Sequence, residues 1–200
     1  QPIPPDQQST AFMPPGRWKF PDIKRELLTV GSYAVGLIQA CLGPIERVYA
    51  HGGAHFFPAH AARGAEDFSV LTLSAAQGAT ATISCGRIGV ATHPAGGSQR
   101  AFLVGSRHTA YIDAKRPAVD AFIRQDIVNS AYIPATADPM QWTSGPPALA
   151  ASIDTDVAGL ATGLEDLLQA LDQDRQPTYT ATHACSHMAI LWAAYTSIIQ

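Results

Sequence analysis

The chain has 200 residues, of which 46% are hydrophobic and only 14% charged, against about 25% in an ordinary soluble domain. A chain this long can bury about 70% of its unfolded surface, and so sparse a charge implies a surface that is neutral or covered by a partner. The net charge of −3, from 13 basic and 16 acidic residues, offers no electrostatic footprint for nucleic acid.

In chain order, residues 1–20 are rich in proline, with Pro2, Pro4, Pro5 and then Pro14-Pro15-Gly16. Proline fixes φ and removes a donor, so this stretch reads as an extended arm or inter-domain linker. The chain opens on Gln1 rather than Met, which predicts a processed protein or a piece of a longer one. Residues 21–200 are expected to form one domain. Asp22 suits an N-cap, and Leu27, Val30, Ala34, Leu37, Ile38 and Cys41 recur at helical steps over 23–42. Gly43 and Pro44 close that helix. Gly31 and Gly36 lie inside it, each costing about 1 kcal/mol relative to Ala, which predicts close approach of another backbone or a ligand.

The period then changes. Runs at 45–57, 67–74, 79–90, 100–105, 109–112 and 119–127 are rich in Val, Ile, Phe and Thr, with turn punctuation such as Gln77-Gly78 between them. Phe68 and Val70 alternate with Leu71 and Leu73, so both faces of that strand read as covered. A proline-bearing loop from Pro134 to Pro147 leads to two closing helices. One carries the stripe Val157, Leu160, Leu164, Leu167, Leu168 and Leu171, with Asp154 or Thr155 as its cap. The other carries Ala184, Met188, Leu191, Trp192, Tyr195, Ile198 and Ile199. The expected architecture is α+β: a predominantly antiparallel sheet of five or six strands, helices packed on one face and a subunit interface on the other.

No P-loop, G-x-S-x-G elbow or HExxH occurs, and no GxGxxG follows a strand. Cys41, Cys85 and Cys185 are odd in number, far apart and in no CxxC pair, which argues against a disulfide scaffold or zinc ribbon. No apolar run approaches the ~18 residues of a membrane span and no signal-peptide pattern opens the chain, so a cytoplasmic protein without membrane contact is expected. His183 and His187 stand four apart on the last helix and share a face, but no acidic partner accompanies them. They read as structural or solvated, as do His51 and His55, and no metal site is assigned. Glu66-Asp67 and Glu165-Asp166 read as solvated surface. Tyr33 is a candidate proton donor if a cation lies near; taken alone it reads as a half-buried residue with a satisfied hydroxyl.

The order of these segments resembles the C-terminal domain of the Gfo/Idh/MocA oxidoreductases, two-domain enzymes with an N-terminal Rossmann domain. The family segment GGG-x-L-x-D-x-G-x-H-x-x-D is matched loosely by residues 23–36, with Leu27 and Gly31 retained. Cys41-Leu42-Gly43-Pro44-Ile45, Glu66-Asp67-Phe68-Ser69-Val70-Leu71, Gln77-Gly78-Ala79-Thr80 and Val104-Gly105-Ser106-Arg107-His108 follow in the family's order. The resemblance spans roughly residues 17–200. It implies a substrate-binding and oligomerisation domain of an NAD(P)-dependent enzyme, passing hydride between the nicotinamide and a sugar-like or polyol carbon. NAD or NADP would be held mainly by the absent N-terminal domain, as would the family's Glu-Lys-Pro lysine.

Tyr33 falls where many members have the catalytic histidine and some branches have tyrosine, so the resemblance makes it the catalytic residue. Lys19, Thr29, Gly31 and Gly36 are the implied substrate-binding positions. Thr29 and Gly36 replace the two family aspartates, and Ile23-Lys24-Arg25 replaces the triple glycine. Those departures keep a second reading open, a non-catalytic binding or assembly domain with a degenerate site. The implied partners are a small-molecule substrate and further copies of the chain, meeting through the open sheet face.

Overall fold

The computed structural model describes residues 24–88, 97–105, 108–114, 118–123, 149–152 and 158–199. The arm at 1–20, the cap expected at Asp22 and the substrate residue expected at Lys19 lie outside them. The chain forms two compact units, Gln1–Gly89 with Gln176–Gln200, and Val90–Arg175.

In the first unit a π-helical turn, Leu27–Gly31, runs directly into α1, Ser32–Leu42. Gly43 stops α1 at φ 76°, and its amide donates to Gln39 O at 2.8 Å; Pro44 then bars continuation. Three strands follow, β1 Ile45–Gly53, β2 Phe68–Ala75 and β3 Thr80–Cys85, in the order β1-β2-β3. Both pairings are antiparallel, with Tyr49 opposite Thr72 and Thr72 opposite Thr82. The β2–β3 turn needs its glycine, since Gly78 sits at φ 82°, a left-handed conformation that side chains resist.

The strand expected over 45–57 ends at Gly53 for a local reason. The buried carboxylate of Asp67 accepts the amides of His55, Phe56 and Phe57, each at 2.8 Å, which turns the chain. Pro58 then opens the short α2, Pro58–Ala61.

The long closing helix α4, Ala181–Ile199, packs with α1 on one face of this sheet. Leu27, Val35 and Ile38 meet Leu71, Leu73, Ile83, Leu191 and Tyr195 in one core. Full burial of such side chains contributes about 1.5–3 kcal/mol each. Ser197 Oγ accepts the Ala50 amide at 3.0 Å, tying the end of α4 to β1.

The opposite face differs from the doubly apolar strand expected. Ser69, Leu71, Leu73 and Ala75 are buried, whereas Phe68, Val70 and Ser74 are half-buried and Thr72 is exposed. Phe56 covers Phe68 edge-on, with ring centroids 6.1 Å apart.

The second unit contains β4 Arg100–Val104, β5 His108–Asp113, β6 Ala118–Ile123 and β7 Leu149–Ser152, a separate antiparallel sheet in that order. Arg100 bridges to Asp113 across the hairpin at 3.1 Å and lies over the Tyr111 ring. Helix α3, Ala158–Asp172, completes the unit. Its stripe is open: Leu164, Leu167, Leu168 and Leu171 are exposed and Ala170 is buried.

The α+β class and the antiparallel pairing agree with the sequence expectation. The described strands divide into sheets of three and four instead of one sheet of five or six. Pairing is a non-local choice that alternation within a strand does not encode.

Candidate functional site

The start of the helix gathers most of the sequence-expected site. Leu27 and Gly31 face inward: Leu27 is fully buried, and a Cβ on Gly31 would come within 2.8 Å of Leu27 Cδ1 and 3.3 Å of Cys85 Sγ. Gly36 faces α4, where a Cβ would lie 3.0 Å from His187 Cε1. The space beside both glycines is therefore filled by protein side chains. Thr29 is half-buried, and its hydroxyl donates to Arg25 O at 2.7 Å, turning back into its own helix.

Tyr33 differs from the half-buried residue that its surroundings in sequence suggested. It is 72% exposed, and its hydroxyl has no hydrogen-bond partner among the described residues. Because helical residues four apart share a face, Thr29 and Tyr33 lie on one side of this helix.

Beneath this turn lies a set of charges that sequence reasoning assigned to solvent. Glu66 and Asp67 are both completely buried, the reverse of the expected wet strand end. Glu66 Oε2 accepts from Arg25 Nη1 at 3.0 Å, and Oε1 accepts from Tyr195 Oη at 2.6 Å and from the Leu27 amide at 3.2 Å. Arg25 also reaches Gly64 O at 3.3 Å and stacks over the Tyr195 ring. Burial and the adjacent Glu66 carboxylate push the Tyr195 phenol far above its ordinary range. A buried carboxylate with a cation and several donors is the paired arrangement that burial demands.

A second carboxylate, Glu26, takes a bidentate Arg87 through Nε at 2.8 Å and Nη2 at 2.5 Å. The hydrogen bond to Glu26 raises the Arg87 guanidinium above its usual range. Cys85 lies near both acids. Burial first, then the Glu66 and Glu26 charges, push its thiol up to about 12, which removes it as a nucleophile. Arg25, Glu66 and Tyr195 were missed because their roles depend on contacts across the chain. The one local signal was an acidic pair entering an apolar strand.

His183 Nδ1 accepts the Thr180 amide at 3.1 Å, which leaves the neutral ring's proton on Nε2. Tyr179 Oη lies 2.8 Å from His187 Nδ1, and its ring packs against both imidazoles. Among the described residues no group of three or more His, Cys, Asp and Glu could hold an ion. No described helix is long and apolar enough to cross a membrane.

The described residues do not fit a dinucleotide. Every described strand pair is antiparallel, whereas a pyrophosphate cradle needs a glycine-rich turn from a parallel strand into a helix N-terminus.

No curated protein sequence matches the chain. Among solved structures, an NAD-binding oxidoreductase from Klebsiella pneumoniae is similar at 17% identity and a TM-score of 0.64, over 87% of this chain and 48% of that one. UDP-N-acetylglucosamine 3-dehydrogenase GnnA from Acidithiobacillus ferrooxidans matches at 15% identity and a TM-score of 0.59, over 88% of this chain and 50% of that one. The WlbA dehydrogenase from Bordetella pertussis, solved with NADH and UDP-GlcNAcA, matches at 17% identity and a TM-score of 0.54, over 86% and 44%. The chain thus spans about half the length of these structures. A sequence model of the GFO/IDH/MocA C-terminal domain matches residues 4–111, over half of the chain. The chain belongs to the GFO/IDH/MocA C-terminal domain family.

Proposed function

We propose that this chain is the substrate-binding domain of an NAD(P)-dependent oxidoreductase acting on a sugar-like or polyol substrate. The observation that carries the reading is Tyr33: an exposed phenol with an uncommitted hydroxyl, at the position of the family's catalytic histidine. A phenol there exchanges a proton with the substrate oxygen as the carbon is oxidised or reduced. Thr29, one turn earlier on the same side, contributes a hydroxyl oxygen that still accepts a hydrogen bond. Lys19 is assigned to substrate as well. Gly31 and Gly36 serve this site by letting Leu27 and His187 pack closely against the helix that carries it. The dinucleotide belongs to a separate domain of the intact protein. The open face of the first sheet, where Tyr49 stands exposed beside Thr72 and Thr82, is the surface proposed to meet a second copy.

One observation favours the non-catalytic reading. Thr29 and Gly36 supply no carboxylate where the family has two, and the Thr29 hydroxyl is already bonded to its own helix.

Turnover by the full-length protein separates the two readings. Reduction of NAD or NADP with UDP-N-acetylglucosamine, free aldoses and glycerol is followed for wild type and Tyr33→Phe. Turnover on one substrate that falls at least ~100-fold in the variant supports the enzyme and the tyrosine's role. Turnover unchanged in the variant removes Tyr33 from the chemistry. Binding of these sugars without turnover favours the assembly reading.

A further inference from the structure

The helix that carries Thr29 and Tyr33 begins without a side-chain cap, since Glu26 makes no capping bond. The first amides of any helix lack intrahelical acceptors. Here the Leu27 amide goes to Glu66 Oε1 at 3.2 Å, the same oxygen that accepts from Tyr195 Oη at 2.6 Å, while Thr29 N reaches Arg25 O at 2.9 Å. Both partners stand in the core: Glu66 directly before β2, completely buried, and Tyr195 near the end of α4, 1% exposed.

A π-helical turn is rare and occurs mostly as a single-turn bulge within an α-helix. The Tyr33 side chain, standing in solvent, is oriented by the backbone under it and by no bond of its own.

We propose that Glu66 and Tyr195 are positioning residues that lock the π-helical turn Leu27–Gly31 and thereby set the direction in which Thr29 and Tyr33 are presented. Arg25 completes the lock by neutralising Glu66 from the segment that enters the turn. The assignment of a purpose rests on the functional reading of Tyr33, but the lock itself does not.

Tyr195→Phe in the full-length protein is the test, because it keeps the ring against Arg25 and removes only the hydroxyl that donates to the Glu66 oxygen holding the Leu27 amide. Peptide-resolved hydrogen exchange is expected to rise over residues 26–34 by about tenfold more than over β2 and β3. Turnover of whichever of these sugars the wild type oxidises is expected to fall about tenfold with little change in KM, and Tyr195→Phe is expected to add nothing in a Tyr33→Phe background. An equal rise across the first unit, or no local rise, overturns the proposal and leaves the network merely structural. A local rise with unaltered turnover keeps the lock and overturns the role given to Tyr33. Glu66→Gln, which retains an acceptor for Leu27 but loses the charge facing Arg25, is expected to give the same local pattern and serves if Tyr195→Phe does not fold.

Discussion

The phenol of Tyr195 donates a 2.6 Å hydrogen bond to the carboxylate of Glu66, 129 residues earlier in the chain. That bond joins the last helix to the entry of β2, and the same carboxylate holds Arg25 and the Leu27 amide. Three segments far apart in sequence therefore meet on one buried acid. The helix start that carries the candidate site rests on them.

Removing that acid takes away the one buried carboxylate on which a guanidinium, a phenol and a backbone amide converge. Glu66→Ala is expected to cost about 3–5 kcal/mol, the usual loss when one partner of a buried charge pair disappears. Urea denaturation of wild type and variant measures it. A loss below about 1 kcal/mol, the range of exposed ion pairs, would show that the network contributes little.

Tyr33→Phe removes a hydroxyl that bonds to nothing among the described residues. Its unfolding free energy is expected to stay within about 0.5 kcal/mol of wild type. Paired with the turnover assay, this shows whether a loss of activity comes from chemistry or from unfolding.

The three cysteines divide into two reactive and one silent. Cys41 and Cys185 are exposed and Cys85 is buried, its thiol pushed up to about 12. An aromatic disulfide reagent at mildly alkaline pH is expected to label the two exposed thiols in the native protein and Cys85 only after denaturation. Rapid labelling of Cys85 in the native state would mean that the core beside Gly31 opens readily.

Burial first, and the neighbouring His183 second, hold the His187 imidazole below its ordinary 6.5. The native state therefore prefers the neutral ring. As pH falls through 6.5 the unfolded chain takes up the proton first, so the stability present above 6.5 is lost until the folded ring is protonated as well. The melting temperature is expected to drop as the pH is lowered through 6.5, and by less in His187→Gln. An identical drop in the variant would assign the effect to other groups.

Much of the local structure was readable along the chain. Helical spacing from Leu27 to Cys41, the Gly43-Pro44 stop and the Gln77-Gly78 turn all depend on neighbours within a few residues, and the structure forms each of them. β7 was not anticipated because Leu149-Ala150-Ala151-Ser152 has no β-branched or aromatic residue to signal a strand. The leucine stripe of α3 has helical spacing whether or not anything covers it, so periodicity located the helix but not its exposure.

The candidate site shows the same boundary. The sequence by itself determined the family order, the helix bearing Thr29, Gly31, Tyr33 and Gly36, and the period of each element, because backbone conformation answers to local spacing and turn chemistry. Tertiary structure alone decided that Glu66 and Asp67 are buried, that Tyr33 stands in solvent, that both glycines abut side chains and that the strands split into two sheets. A carboxylate is bound inside a protein only when distant donors converge on it, and no window of sequence contains that convergence.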